Sequence, residues 1–279
     1  MASEKKERDG GREDALLRGG LRGRMAGGFC TLQSSVDALQ RYLSANTTPE
    51  VYHTARALLE EMTRRIAALE RISGNAAELA CGALTHGAGE LAPLELSEYL
   101  TESVSCINEE LAQRGFPAKV NVQYGREKLW AMATTGLVDG IVVNLLSNLL
   151  QVCPEGTMEL ELGPGRTLTY RDNGPGLDPE EAAMLLEQGR PPLRLRENGA
   201  VGLLLVREYA LAMGWTVHVG REAGLCIRFD LPIFEMPAGS VLLRDTAAEN
   251  RSRASLFATR LSRELDGVFG PALRKNGNL

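Results

Sequence analysis

Apolar residues recur at Met25, Phe29, Leu32, Val36, Leu39 and Leu43, in alternating steps of four and three. That spacing lines one face of a helix and is the spacing of coiled coils and bundles. Glycines at 19, 20, 23, 27 and 28 weaken the first turns, so the pattern predicts a helix from about Leu21 to Ser44. SANTTPE then reads as a short turn, with Thr48 as N-cap and Pro49 at the first helical position. A second helix follows, with Val51, Ala55, Leu58, Met62, Ile66, Leu69, Ala76 and Leu79 along one side. Two amphipathic helices joined this closely fold back antiparallel. Neither has a partner for its whole apolar face, which a second copy in a four-helix bundle or the following domain could cover.

Beyond THGAGELA, read as a linker near Thr85 to Ala92, the periods mix. LSEYLTESVSCINEELAQRG is a helix ended by Gly115, and VDGIVVNLLSNLLQVC and AVGLLLVREYALAMG are two more. KVNVQY, LWAMA, TMELELG, TLTYRD, WTVHVG and CIRFDLP read as strands, with TMELELG and TLTYRD paired around a turn at Gly163 to Gly165. Helices gathered on one face of a mixed sheet give an α+β two-layer sandwich. The expected organisation is a disordered polar tail (1–13), a helical hairpin (14–85), the sandwich (86–236) and a C-terminal extension (237–279). That extension holds a strand, SVLLRD, and a helix striped by Phe257, Leu261, Leu265 and Val268.

The net charge of −5 argues against a nucleic-acid backbone as partner, and 5% aromatic residues leave few base-stacking platforms. The cysteines Cys30, Cys81, Cys106, Cys153 and Cys226 are scattered and form no C-x-x-C pair, so neither a zinc site nor a disulfide framework is indicated. The N-terminus carries no apolar signal region, and the longest apolar stretch, Ala200 to Trp215, is broken by Arg207 and Glu208. A cytoplasmic protein without a membrane segment is the expectation.

NLLSN places Asn144 and Asn148 one turn apart on an apolar helix, where each amide must find partners that a metal or phosphate site can supply. RDNGPGLDPEE follows a strand and carries Asp172, Gly174 and Gly176. ENGAVGLLLV opens a helix whose first N–H groups can face phosphates. In this order the three features resemble the N box and the two glycine boxes of the GHKL superfamily: gyrase, heat-shock chaperone, histidine kinase and MutL ATPases. The resemblance implies ATP as ligand, with Asn148 binding the Mg2+ that bridges the phosphates and Asp172 accepting the adenine amino group. It also implies that Gly174 and Gly176 let the backbone pass the base, and that the loop from Gly176 to Gly202 is an ATP lid. Arg190, Arg194 and Arg196 of that loop could reach phosphate oxygens. In the second glycine box Gly202 and Leu203 match, while Asn198 and Ala200 stand where earlier glycines are expected and Gly199 is one place out.

The hairpin is similar to a histidine-kinase dimerisation domain, and the resemblance covers roughly residues 20 to 235. It departs at the phosphoacceptor: aligning Leu32 and Val36 puts Cys30 at the histidine, Thr31 at the acid and Ser35 at the proline. The three histidines, His53, His86 and His218, lie elsewhere. Gln151 stands where a basic residue is common, and Leu225 where a threonine often follows glycine. Phosphoryl transfer depends on positioned charge and donors. These departures lead to a cytosolic, histidine-kinase-like ATP-binding signalling protein, degenerate in autophosphorylation, as the first expectation. Two others stay open: a non-enzymatic dimeric docking module for a response regulator or kinase, and a serine/threonine kinase of the anti-sigma type, which the hairpin disfavours.

Overall fold

The computed structural model describes residues 2–81, 91–125, 128–192, 201–220, 222–234 and 247–270. The chain divides into two compact units, Met1–Cys81 with Leu265–Leu279, and Gly82–Glu264.

In the first unit, α1 (Ala2–Asn46) and α2 (Pro49–Cys81) form the hairpin, turning at the Thr48–Pro49 start signal. The expected polar tail is helical from Ala2, well before Leu21. Its Glu, Lys, Arg and Ala residues are good helix formers and offset the Gly10–Gly11 pair. Met25 Sδ receives the Ser73 hydroxyl near one end, so the helices run antiparallel. Val36, Leu59 and Ile66 are buried between them, with Phe29 and Leu43 packed alongside. The apolar stripe of α1 therefore splits: Phe29, Val36 and Leu43, seven residues apart, face α2, while Leu32 (51% exposed) and Leu39 (44%) do not. On α2, Leu58, Met62 and Leu69 are likewise exposed. Leu59, outside the expected stripe, takes the inward position.

The second unit is built on a five-stranded mixed sheet. Its strands are β2 (Lys119–Tyr124), β4 (Thr157–Gly163), β5 (Thr167–Asp172), β7 (Cys226–Asp230) and β6 (Thr216–Val219), in that spatial order. The β2–β4 pair is parallel and the other pairs are antiparallel. A separate two-stranded ribbon pairs β1 (Ala92–Glu95) with β3 (Trp130–Ala133). Period-2 alternation sends one set of side chains to the helices α3 (Leu96–Arg114), α4 (Thr135–Val152) and α6 (Val201–Ala212). Leu160, Tyr170 and Ile227 form one buried cross-strand row, and Leu162, Leu168, Phe229 and Val217 the next. On the opposite face Arg171 bridges Glu161 and Glu222.

Local signals set the helix ends. Thr134 Oγ1 accepts the Leu137 N–H at the start of α4, and Gly115 ends α3 in the left-handed region at φ 77°. One helix, α4, is long and apolar enough to cross a membrane, but 72% of it is buried inside the unit. Its Leu145, Leu146, Leu149 and Leu150 are core residues, each worth roughly 2 kcal/mol of burial.

The C-terminal helix α7 (Ala247–Phe269) carries the expected stripe, with Phe257, Leu261 and Leu265 buried. Within the second unit, Arg260 donates to the Gly136 carbonyl (2.9 Å) and the Tyr209 hydroxyl (2.7 Å), and Arg253 lies over the Tyr99 ring. The Tyr99 hydroxyl donates to Asp139 (2.5 Å). Burial pushes the Asp139 carboxyl up to about 6, against the opposing pull of that hydrogen bond and of Arg260 and Arg253. The linker residues 82–90, with His86, and the expected strand SVLLRD lie outside the described residues.

Candidate nucleotide site

The site begins on α4. Asn144 is 1% exposed and its amide donates to the Gly140 carbonyl one turn back (2.8 Å), which turns its Oδ1 toward α6. Asn148 is half-buried one turn on, and its amide nitrogen is buried with no hydrogen-bond partner among the described residues. The two amides converge on Gly202, the second residue of α6. A β-carbon there would sit 3.1 Å from Asn148 Oδ1, 3.2 Å from Asn144 Oδ1 and 3.3 Å from Asn148 Nδ2. NLLSN and Gly202, two separate features along the chain, are thus neighbours in space. Leu203 is 7% exposed, so its side chain belongs to the core and only its backbone N–H lies in the first turn of α6.

Asp172 comes from the end of β5. It is two residues past the buried Tyr170, so alternation puts its carboxylate on the helix side of the sheet. Oδ1 accepts the N–H groups of Gly174 (2.9 Å) and Leu225 (3.0 Å), and Oδ2 accepts the Tyr170 hydroxyl (2.5 Å). Burial first, and then the adjacent carboxylate, push the Tyr170 phenol well above its ordinary pKa, so it stays a donor.

Glycine is required around this carboxylate. Gly224 has φ +81°, and a β-carbon on it would lie 1.9 Å from the Asp172 carbonyl oxygen. Gly176, at φ +69°, rests on the Gly224 carbonyl in the same way. Gly174 is held against Leu149 of α4, where its β-carbon would come within 3.2 Å of Cδ1. Leu149 adjoins Asn148, so the Asp172 turn, the asparagine helix and the start of α6 are continuous.

The segment expected to be a lid opens with a helix, α5 (Pro179–Leu186). Asp178 caps it through the N–H groups of Glu180 and Glu181, and Pro179 holds the first helical position. LDPEE carries this start signal in its N-cap, its proline and its two acids, so the expected loop begins as a helix. Arg190 is exposed; Arg194, Arg196, Asn198, Gly199 and Ala200 lie outside the described residues. Gln151 is turned back onto the Ser147 carbonyl of its own helix (3.0 Å). Sequence reasoning also missed Tyr170 and the Leu225 N–H as partners of Asp172. The first needed strand register, and the second is a backbone group that no residue type announces.

On the hairpin, Cys30 is exposed. Thr31 and Ser35 donate their hydroxyls to the carbonyls of Gly27 and Thr31 (both 2.9 Å). His53 is exposed on α2, and His218 pairs with Asp230 across strands (3.0 Å). No group of three acidic, histidine or cysteine residues among the described ones could hold a metal by itself.

Residues 136–235 match the family model described as histidine kinase-, DNA gyrase B-, and HSP90-like ATPase. The Sensor protein QseC of Salmonella typhi is 30% identical over 135 residues, which are 48% of this chain and 30% of that protein. The same protein of Escherichia coli K12 is 30% identical over 135 residues, 47% of this chain and 29% of its own length. The chain thus spans under a third of the curated relatives it matches. A crystal structure of the histidine kinase ThkA in complex with the response regulator protein TrrA is 17% identical. It covers 82% of this chain and 66% of its own with a TM-score of 0.53, a likeness of fold. Over residues 136–235 the chain carries a histidine kinase-, DNA gyrase B-, and HSP90-like ATPase domain, homologous to those of sensor histidine kinases, and such a domain implies ATP binding.

Proposed function

We propose that this is a cytoplasmic, histidine-kinase-like signalling protein that binds ATP at Asn144, Asn148, Asp172, Gly174, Gly176, Gly202 and Leu203, and that it has lost conventional autophosphorylation. One observation carries the reading: two asparagine amides meet at the first turn of α6, and the buried Asn148 amide nitrogen has no partner among the described residues. A buried amide of this kind calls for a ligand. In this orientation the amide can donate through its nitrogen to a phosphate oxygen. Rotated by half a turn, which leaves its shape unchanged, it presents an oxygen to a cation.

The residues therefore fit Mg2+ held by Asn148 and by the phosphates themselves, in keeping with the preference of that ion for few protein ligands. Bound there, the ion would neutralise phosphate charge. The chain's own part is positional. Asp172 accepts the base amino group, the glycines around it leave room for the base, and the first N–H groups of α6 face the phosphates. The absence of a histidine from α1 supports the loss of autophosphorylation, and Cys30, Thr31 and Ser35 offer no substitute. Thr31 and Ser35 already donate to their own helix, and no acid or histidine adjoins them to act as base.

The exposed Leu32, Leu39, Leu58, Met62 and Leu69 support a homodimer through the hairpin. A docking function toward a response regulator or partner kinase is the second reading, favoured by that same absence of an acceptor. Thermal shift with ADP and ATP, with and without Mg2+, tests the site: Asp172→Asn is expected to abolish nucleotide stabilisation. Unchanged stabilisation in the variant would remove Asp172 from the site. Labelling with γ-labelled ATP followed by peptide mapping tests the rest. Stoichiometric label between Met25 and Val36 would refute lost autophosphorylation, and label on His53 would move the acceptor to α2.

A further inference from the structure

An ionised carboxylate has about four acceptor positions, two on each oxygen. At Asp172 three are filled: Gly174 N–H and Leu225 N–H on Oδ1, and the Tyr170 hydroxyl on Oδ2. Oδ1 is also walled in, since β-carbons on Gly174 and Gly224 would stand only 3.2 and 2.9 Å from it. Among the described residues, the single acceptor position that remains is on Oδ2, beside the phenol oxygen. Tyr170 is 0% exposed, its ring sits in the row with Leu160 and Ile227, and its hydroxyl donates to Asp172 Oδ2. Without that hydroxyl the carboxylate could pivot about the Oδ1 contacts, and a water could occupy Oδ2.

We propose that Tyr170 is a positioning residue for the nucleobase: its hydroxyl holds the Asp172 carboxylate so that the one open acceptor on Oδ2 meets a single N–H of a 6-aminopurine. This rests on the reading that Asp172 takes the base. Tyr170 does not touch the ligand; it sets which lone pair the ligand finds. The consequence is a chemical signature. The hydroxyl should matter to a ligand that brings a 6-amino group and should be silent toward one that does not.

The test compares ATP with the triphosphate of purine riboside, which has hydrogen in place of the 6-amino group, by calorimetry on the full chain. The wild type is expected to prefer ATP. Tyr170→Phe is expected to weaken ATP about tenfold, the scale of one misplaced hydrogen bond to a charged group, and to leave the 6-hydrogen analogue within about twofold. Equal weakening of both ligands would mean a structural role and overturn the proposal, as would ATP binding that is unchanged or tighter. Equal binding of both ligands by the wild type would overturn the base reading and this proposal together. A melt without nucleotide checks that the Phe variant is folded. Tyr170→Leu, which removes the hydroxyl from a differently packed core, is expected to show the same selective loss of ATP, and loss of both ligands alike would overturn the proposal.

Discussion

Gly202→Ala is expected to separate the proposed nucleotide site from the fold. The new methyl would lie 3.1 to 3.3 Å from three polar atoms of Asn144 and Asn148, close enough that the amides must yield by a few tenths of an ångström. Gly202 is the second residue of α6, and its backbone is not in the left-handed region, so alanine is compatible with the helix. Helix propensity favours alanine by up to about 1 kcal/mol, less near a helix end, and the tight contact costs a similar amount. Stability without nucleotide should therefore change by no more than about 1 kcal/mol. Binding should not be spared. Displacing the Asn148 amide from a phosphate or its cation forfeits a charge-assisted contact of about 1.5–3 kcal/mol, roughly a 10- to 150-fold rise in Kd. Denaturant unfolding without ligand and calorimetric titration of ATP with Mg2+ measure the two quantities. Near-wild-type ATP affinity in a folded variant would detach the amide–glycine junction from the nucleotide. A stability loss above about 3 kcal/mol would instead make the asparagine pair a packing element.

Asn148→Ala should weaken the Mg2+-dependent part of ATP binding and spare the metal-independent part, read by titration with and without the ion; equal losses would contradict the ligand role. Lysine at Leu32 or Leu39 should dissociate the proposed homodimer, because each loses roughly 1.5–3 kcal/mol of apolar burial twice over and buries a charge without a partner. Light scattering reads this, and a wild-type monomer at micromolar concentration would end the proposal. Asp139 supplies a pH test. Its folded carboxyl is raised to about 6, so the folded state holds a proton that the unfolded chain releases near pH 4. Stability from this group is thus present below about pH 4 and is lost as pH rises to about 6, on the order of 3 kcal/mol. Asp139→Asn should be more stable than the wild type at pH 7.5 and lose that advantage at pH 4.5. Parallel wild-type and variant curves across the window would refute the raised carboxyl.

The α1–α2 hairpin, the Thr48–Pro49 start, Gly115 as a helix stop and the alternation in β4 and β5 depend on residues near in sequence, and period and propensity are enough to read them. The helix start at Ala2 and α5 rest on the same kind of local information: Glu, Lys and Arg outweigh glycine in the first, and an Asp–Pro–Glu–Glu signal opens the second. The proposed site residues Asn144, Asn148, Asp172 and Gly202 are named by motif order along the chain. Their mutual geometry is not. That Phe29, Val36 and Leu43 turn inward while Leu32 and Leu39 stay exposed depends on where α2 lies, and both sets look alike on one helix. The enclosure of Asp172 joins strands that meet only through sheet register, one of them contributing a backbone N–H. Residue types record what a side chain can do, but how many of its hydrogen-bonding positions are already filled is a property of the neighbours that folding brings to it.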